Sequence, residues 1–538
     1  MVLRLTYKTT VFICLFASIS IGLKGHGTID KDKKYIELVD LYESFRQFIY
    51  PEVKNGVPDY RVKAMSKKLD KLIKYQKKLE AIDTLDWSIP QQVDYQLVKS
   101  EMNAMEFRHK VTRPWSRDPA FYAVINFQFG PKMARSIRVP EVPMSKGRLK
   151  EFQIELRAIP KILDQARKNL VEPKADLAFI GIHTKNREGE ILRELIPKLQ
   201  TDHPELVSDA QSALKAIDQF KIWLEKIRPE IENESGIGID NYNWYLKNVA
   251  MLPYTWDELL LLCQREYERA ITSMKLKEYG NRHKPLLDPV DNREDYLYRY
   301  NNAMKHMYDF LHKVELFTVP DYFKAPKAAN SYLRNTERDY FEHVLDRYPL
   351  PLSVHGFLGH DLDAQRHKKD EHPIRGKSRL FFIDGVRAEA LATALEKFLS
   401  YTGLLDDIPQ AEELMYHLKA FRAIRAVADL KMHSNQQTFE EAFQYVTNYT
   451  PYGWVPKDSP TIWHDLELYM RKPLYGIGYT IGPVLIERLL TERYLELGKD
   501  FNIKKFMDEF MEIGFMPISL LRWEMTGKNQ TQIPPYWE

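Results

Sequence analysis

Cysteine is nearly absent: the chain has two in 538 residues. Cys14 lies in the N-terminal apolar stretch and Cys263 in the helical stretch DELLLLCQREYERA. If the first leaves with a signal peptide, no intramolecular disulfide is possible, and the core must hold by packing alone. Cys263 then reads as an inert buried thiol. Glycine is also scarce, 23 residues in all, which disfavours a barrel or sandwich and favours long helices. The formal charge is only +3, so composition gives no reason to expect nucleic acid or an anionic membrane as partner.

Long apolar runs are missing too, with one exception. Val11 to Leu23 follows Arg4 and Lys8, and small residues at Ser18 and Ser20 offer a cleavage point. The run suits a signal peptide h-region over 1–20 and is short for a membrane span. The chain is therefore expected to be secreted, with no membrane contact after signal removal. Asn233, Asn448 and Asn529 each open an N-x-S/T sequon, which fits that compartment modestly.

What is present is helical. Hydrophobic residues make up 44% and aromatics 12%, enough for a large core. Apolar residues at 35, 36, 38, 39, 41 and 42 open a stripe of period 3.6, and later stretches repeat the style. Thr255 and Glu258 form a candidate capping box. Only 176–184 and 378–385 read as short strands. The expected architecture is mainly α: a single large helical domain over 21–538, with an N-terminal lobe about 30–330 and a C-terminal lobe about 331–538 around a deep cleft.

Four segments could carry chemistry. His355 and His360 stand five apart in HGFLGHD. Two histidines on one helix commonly hold zinc in peptidases, with a glutamate beside the first as base. Here that neighbour is Gly356. On a regular helix a spacing of five points the two rings about 140° apart, so a local bulge is needed, and Gly359 could host it. Downstream, Glu389 and Glu396 lie two turns apart on a helix with small neighbours Ala392 and Thr393. Arg425, Asp429 and His433 are spaced by four, so Asp429 could pair with Arg425 and orient His433. Tyr475 and Tyr479 sit among Gly476, Gly478 and Gly482. Each segment also has a structural reading: solvated histidines, solvated glutamates, a salt-bridge ladder, a packed tyrosine.

Together these segments resemble the domain-of-unknown-function 885 family, secreted or lipoprotein-like proteins related to helical zinc peptidases. EALATALEKFLSYTG (389–403) is similar to the family's EGWALYAExLxxExG. RAVADLKMH (425–433), PLYGIGYTIG (473–482) and LGKDFNIKKFMDEFMEIGFMPISLL (497–521) are similar to three further family segments. The resemblance implies His355, His360 and Glu389 as zinc ligands. It implies Glu396, Asp429 and Arg425 as supporting groups and His433 and Tyr479 as groups acting on a transition state. The departures fall on the chemistry: Gly356 replaces the motif glutamate, Asp361 replaces a histidine, and Leu391 replaces a tryptophan. The shortened motif is nearer the H-E-L-L-G-H of dipeptidyl-peptidase III, again without its glutamate.

Asp361, Asp384 or Glu396 could substitute as base. The expected activity is that of a secreted zinc-metallopeptidase-like protein acting on, or binding, peptide or amide-bearing small ligands, with hydrolysis weakened by Gly356. The alternatives are a non-catalytic carrier using the old site, or the same scaffold running unrelated chemistry.

Overall fold

The computed structural model describes residues 33–125, 136–324, 338–376 and 385–529. Among these the fold is mainly α, and the only sheet is an antiparallel ribbon pairing Val53–Lys54 with Val57–Pro58. The expected signal peptide, Cys14 and Asp384 lie outside the described residues. No described helix is long and apolar enough to cross a membrane.

The expected strand at 176–184 is instead the start of a helix, Ala175–Asp202. Its buried residues recur three or four apart (Leu177, Ala178, Ile180, Gly181, Thr184, Lys185, Glu188), which is a helical face. A nine-residue apolar window was too short to show that period. Of the second candidate strand, 378–384 fall outside the described residues, and Gly385 opens a helix. The expected capping box forms: Thr255 Oγ1 accepts from Glu258 N at 3.4 Å, and Thr255 N donates to Glu258 Oε2 at 2.7 Å.

Two apolar cores organise the chain. One lies between residues 60 and 224. The larger gathers the N-terminal helices Lys33–Phe48 and Ile89–Phe107 with most of the C-terminal half. Through it runs the central helix, Ala411–His433, buried nearly all round. Such a helix belongs to the core of a large protein. Trp256–Asn281 and Tyr475–Leu497 pack along it.

Buried ion pairs tie distant parts of the chain in place of disulfides. Arg471 Nε donates to Asp118 Oδ2 at 2.8 Å, and its Nη1 to Glu467 Oε1 at 2.7 Å. Arg375 bridges Asp94, at 3.0 Å, and Glu524, at 2.6 Å. Three buried histidines are held neutral. Burial lowers the pKa of His109 to about 4, of His417 to about 3 and of His433 to about 4.

These histidines make stability depend on pH. Unfolded, each takes up a proton below an ordinary pKa near 6.5, whereas the folded state does not until far lower. The unfolded chain therefore binds more protons between about pH 6.5 and 4, and stability is lost as pH falls through that window. Thermal melts should show the midpoint dropping from pH 7 to pH 4, with a shallower drop in His417→Gln. Parallel profiles for the two proteins would refute this account of His417.

Candidate metal centre

The site is built on four pieces of backbone. The histidine segment, Val354–Leu362, is a π-helix. Its i→i+5 hydrogen bonding places residues five apart on one face, so the whole segment absorbs the odd spacing of His355 and His360. Gly359 does not form a separate bulge. It allows contact: a Cβ there would lie 2.3 Å from both Cα and Cβ of Ala392. Ala392 belongs to the glutamate helix, Gly385–Tyr401, which carries Glu389 and Glu396. On its other side the tyrosine helix, Tyr475–Leu497, approaches as closely, since a Cβ at Gly482 would fall 2.3 Å from Ala390 Cβ. The central helix supplies Arg422.

Three ligating atoms converge. His355 Nε2 and His360 Nε2 are 3.1 Å apart, and each lies 3.3 Å from Glu389 Oε2. A tetrahedral zinc with bonds of about 2.0–2.1 Å holds its ligand atoms about 3.3–3.4 Å apart. The triangle thus matches the ligand spacing of one face of that tetrahedron. Glu389 Oε2 is buried and makes no well-aligned hydrogen bond, so this carboxylate oxygen stands ready for an ion. The residues present therefore fit a zinc-class cation.

Each ligand is oriented from behind. The Tyr475 hydroxyl donates to Glu389 Oε1 at 2.8 Å. Glu396 Oε1 stands 3.0 Å from His355 Nδ1, and Glu396 Oε2 accepts from Arg422 Nη1 at 2.6 Å. A carboxylate behind a ligating histidine fixes its tautomer and raises its basicity. Burial opposes ionisation of Glu389, but His355 and His360 outweigh it and hold its carboxyl well below the usual range. Burial likewise opposes ionisation of Glu396, and Arg422 with His355 outweighs it. Burial and Arg422 push His355 down, yet Glu389 and Glu396 raise it overall.

The remaining residues are placed as follows. The Tyr479 ring stacks on His355 at 6.0 Å and 19°. Burial pushes its phenol far up, and the Glu389 charge adds to this, so it stays protonated. Asp361 is exposed. Arg425 pairs with Asp465 and not with Asp429 as its spacing suggested, because on a helix buried all round each side chain meets a different neighbour. Asp429 instead receives the Gly476 amide at 2.9 Å, capping the start of the tyrosine helix. His433 is fully enclosed, its Nε2 3.0 Å from the Tyr469 carbonyl oxygen. The structure does not bring Asp429 and His433 to the triad. Arg422, which sequence reasoning passed over, is the partner that matters. Its position at i−3 from Arg425 was the available hint, but only tertiary contact shows that it meets Glu396. Asn233, Asn448 and Asn529 are all exposed.

Residues 392–525 match the family described as bacterial protein of unknown function (DUF885). That span includes Glu396, Arg422 and both tyrosines and begins just past Glu389. Similar solved structures include a candidate lipoprotein of unknown function from Shewanella oneidensis, with TM-score 0.69 and 15% identity, covering 91% of this chain and 99% of that one. A second candidate lipoprotein, from Colwellia psychrerythraea, gives TM-score 0.68 and 15% identity, covering 92% and 99%. At that identity the likeness shows a shared fold. No curated protein sequence matches the chain.

Two outcomes follow for the site. The full chain should take up one zinc per molecule by calorimetry, His360→Ala should lose it, and Glu396→Gln should weaken it about 10–100-fold, the usual cost of removing such an outer partner. No zinc uptake by the unaltered chain would rule the centre out. Gly359→Ala should destabilise the fold by about 1–3 kcal/mol through overpacking against Ala392, read as a lower denaturation midpoint.

Proposed function

We propose that this chain is a secreted or envelope-associated protein of zinc-metallopeptidase type that acts on, or binds, peptide or amide-bearing small molecules. The observation that carries the reading is the triangle of 3.1, 3.3 and 3.3 Å formed by His355, His360 and Glu389. The N-terminal apolar run and the candidate lipoproteins that share the fold support the compartment.

The ligand set is that of an open catalytic site, two histidines and one carboxylate. A zinc ion held by His355, His360 and Glu389 would supply Lewis acidity toward an amide carbonyl. Glu396 and Arg422 keep His355 aimed. Tyr475 fixes the rotation of Glu389. Tyr479, held protonated beside His355, is suited to donate a hydrogen bond to a developing oxyanion and is not suited to act as a base.

What this chain lacks is a glutamate at the motif position 356. No side chain stands at 356, and a Cβ added there would meet nothing within 4 Å. A general base contributes typically 10²–10⁴-fold, so hydrolysis by the unaltered chain should be slow. That empty position also favours a second reading, a non-catalytic binding protein built on the old site.

Gly356→Glu decides between them. The variant should hydrolyse chromogenic peptide amides about 10²–10⁴ times faster than the unaltered chain. Slow, chelator-sensitive turnover by the unaltered chain supports the hydrolase reading. Activity found only in the variant supports the carrier. Turnover that survives full metal removal would exclude both and leave metal-independent chemistry.

A further inference from the structure

A cavity of about 80 Å³ lies beside the metal triad, bordered by Thr393 and Lys397 of the glutamate helix, Lys419 and Arg422 of the central helix, and Tyr479 and Thr480 of the tyrosine helix. A single water needs about 10–15 Å³ on this measure, so the space takes several waters or a small polar group. None of the three metal ligands lines it. Arg422 and Tyr479 do, and both also touch His355, at 3.3 Å and by ring stacking.

Two features of the lining point to a ligand. The first is a pair of threonines. Helical threonines elsewhere in this protein donate to the carbonyl four residues back, as Thr184, Thr447 and Thr491 do at 2.8–2.9 Å. Thr393 and Thr480 are buried on helices, line the cavity, and have hydroxyls with no partner among the described residues. Buried polar groups without partners are rare and call for an explanation.

The second feature is charge. The other cations around the cavity are matched: Lys397 with Glu487 at 2.7 Å, Arg422 with Glu396 at 2.6 Å, and Arg269 with Glu266 at 2.8 Å. Lys419 has no hydrogen bond or ion pair among the described residues, only the Tyr416 ring at 5.3 Å. Burial, reinforced by Lys397, lowers its pKa to about 8 against the opposing pull of Glu396, Glu487 and Glu266, the last two also lining the cavity, which leaves it charged at neutral pH.

We propose that this cavity is a carboxylate subsite in which Lys419 receives the free terminal carboxylate of a short peptide while Thr393 and Thr480 donate hydrogen bonds to it. The inference rests on the peptide reading of the neighbouring metal centre and gives that reading a direction: ligands with a free carboxyl end are preferred to capped ones.

Calorimetry on the metal-free full chain tests it, using dipeptides with small, aromatic and acidic second residues, the same dipeptides amidated at the C-terminus, and acetate. At least one free dipeptide should bind ten-fold or more tightly than its amide. Lys419→Met should weaken it about 10–100-fold, the range expected for a hydrogen-bonded charge. Thr480→Val should cost less. Equal binding of free and amidated forms, unchanged affinity in Lys419→Met, or no dipeptide binding would overturn the proposal. Acetate binding as tightly as the dipeptides would overturn the peptide source. Zinc uptake is measured in parallel. Its absence alone sinks the metal reading, while loss of carboxylate discrimination alone sinks the subsite.

Discussion

Contact between bare backbones is the constraint on which the rest of this structure depends. The histidine segment meets the glutamate helix at Gly359 against Ala392, and the tyrosine helix meets the same helix at Gly482 against Ala390. Each contact is so close that one added methyl would overlap an atom 2.3 Å away. Only this approach lets Nε2 of two histidines, Oε2 of Glu389 and the Tyr475 hydroxyl reach one another from separate helices. Larger residues would hold the axes at ordinary packing distance, and the triangle would open.

Around that contact the protein buries charge and satisfies it pairwise. Glu396 with Arg422, Arg425 with Asp465, and Asp429 with the first amides of the tyrosine helix form a ladder along the central helix. A buried pair contributes little net stability, but losing one partner strands the other, at about 3–5 kcal/mol. The arrangement therefore specifies geometry more than it stabilises. His355 is aimed because Glu396 is aimed, and Glu396 is aimed because Arg422 Nη1 donates to its Oε2 at 2.6 Å. The same logic makes the unmatched Lys419 and the two idle threonine hydroxyls conspicuous.

Several features were legible in the residues. Helical class followed from period and from scarce glycine. The triad of His355, His360 and Glu389 was reached through segment resemblance, and geometry then brought those atoms together. The run at 176–184 was misread because a buried helix and a buried strand look alike over nine apolar residues. The ladder of Arg425, Asp429 and His433 was read as one network because spacing of four is a surface rule. On a helix buried on every side, Asp465 from another helix captures Arg425 first, while His433 Nε2 stays 3.6 Å from Asp429 Oδ1.

The sequence by itself determined which side chains exist and which helix carries each, since period and capping are local properties. It also determined the missing motif glutamate, because Gly356 is glycine in any fold. Tertiary structure decided the rest: that an i+5 pair shares a face through a π-helix, that Arg422 holds Glu396, and that Lys419 faces a cavity without a direct ion pair among the described residues. The cavity that Lys419 faces is also lined by Glu266 and Glu487, which pair with Arg269 and Lys397, so what Lys419 lacks is a direct ion pair and not nearby negative charge. These facts depend on which helices touch and how closely. That is set by the sum of long-range contacts, which no local spacing encodes.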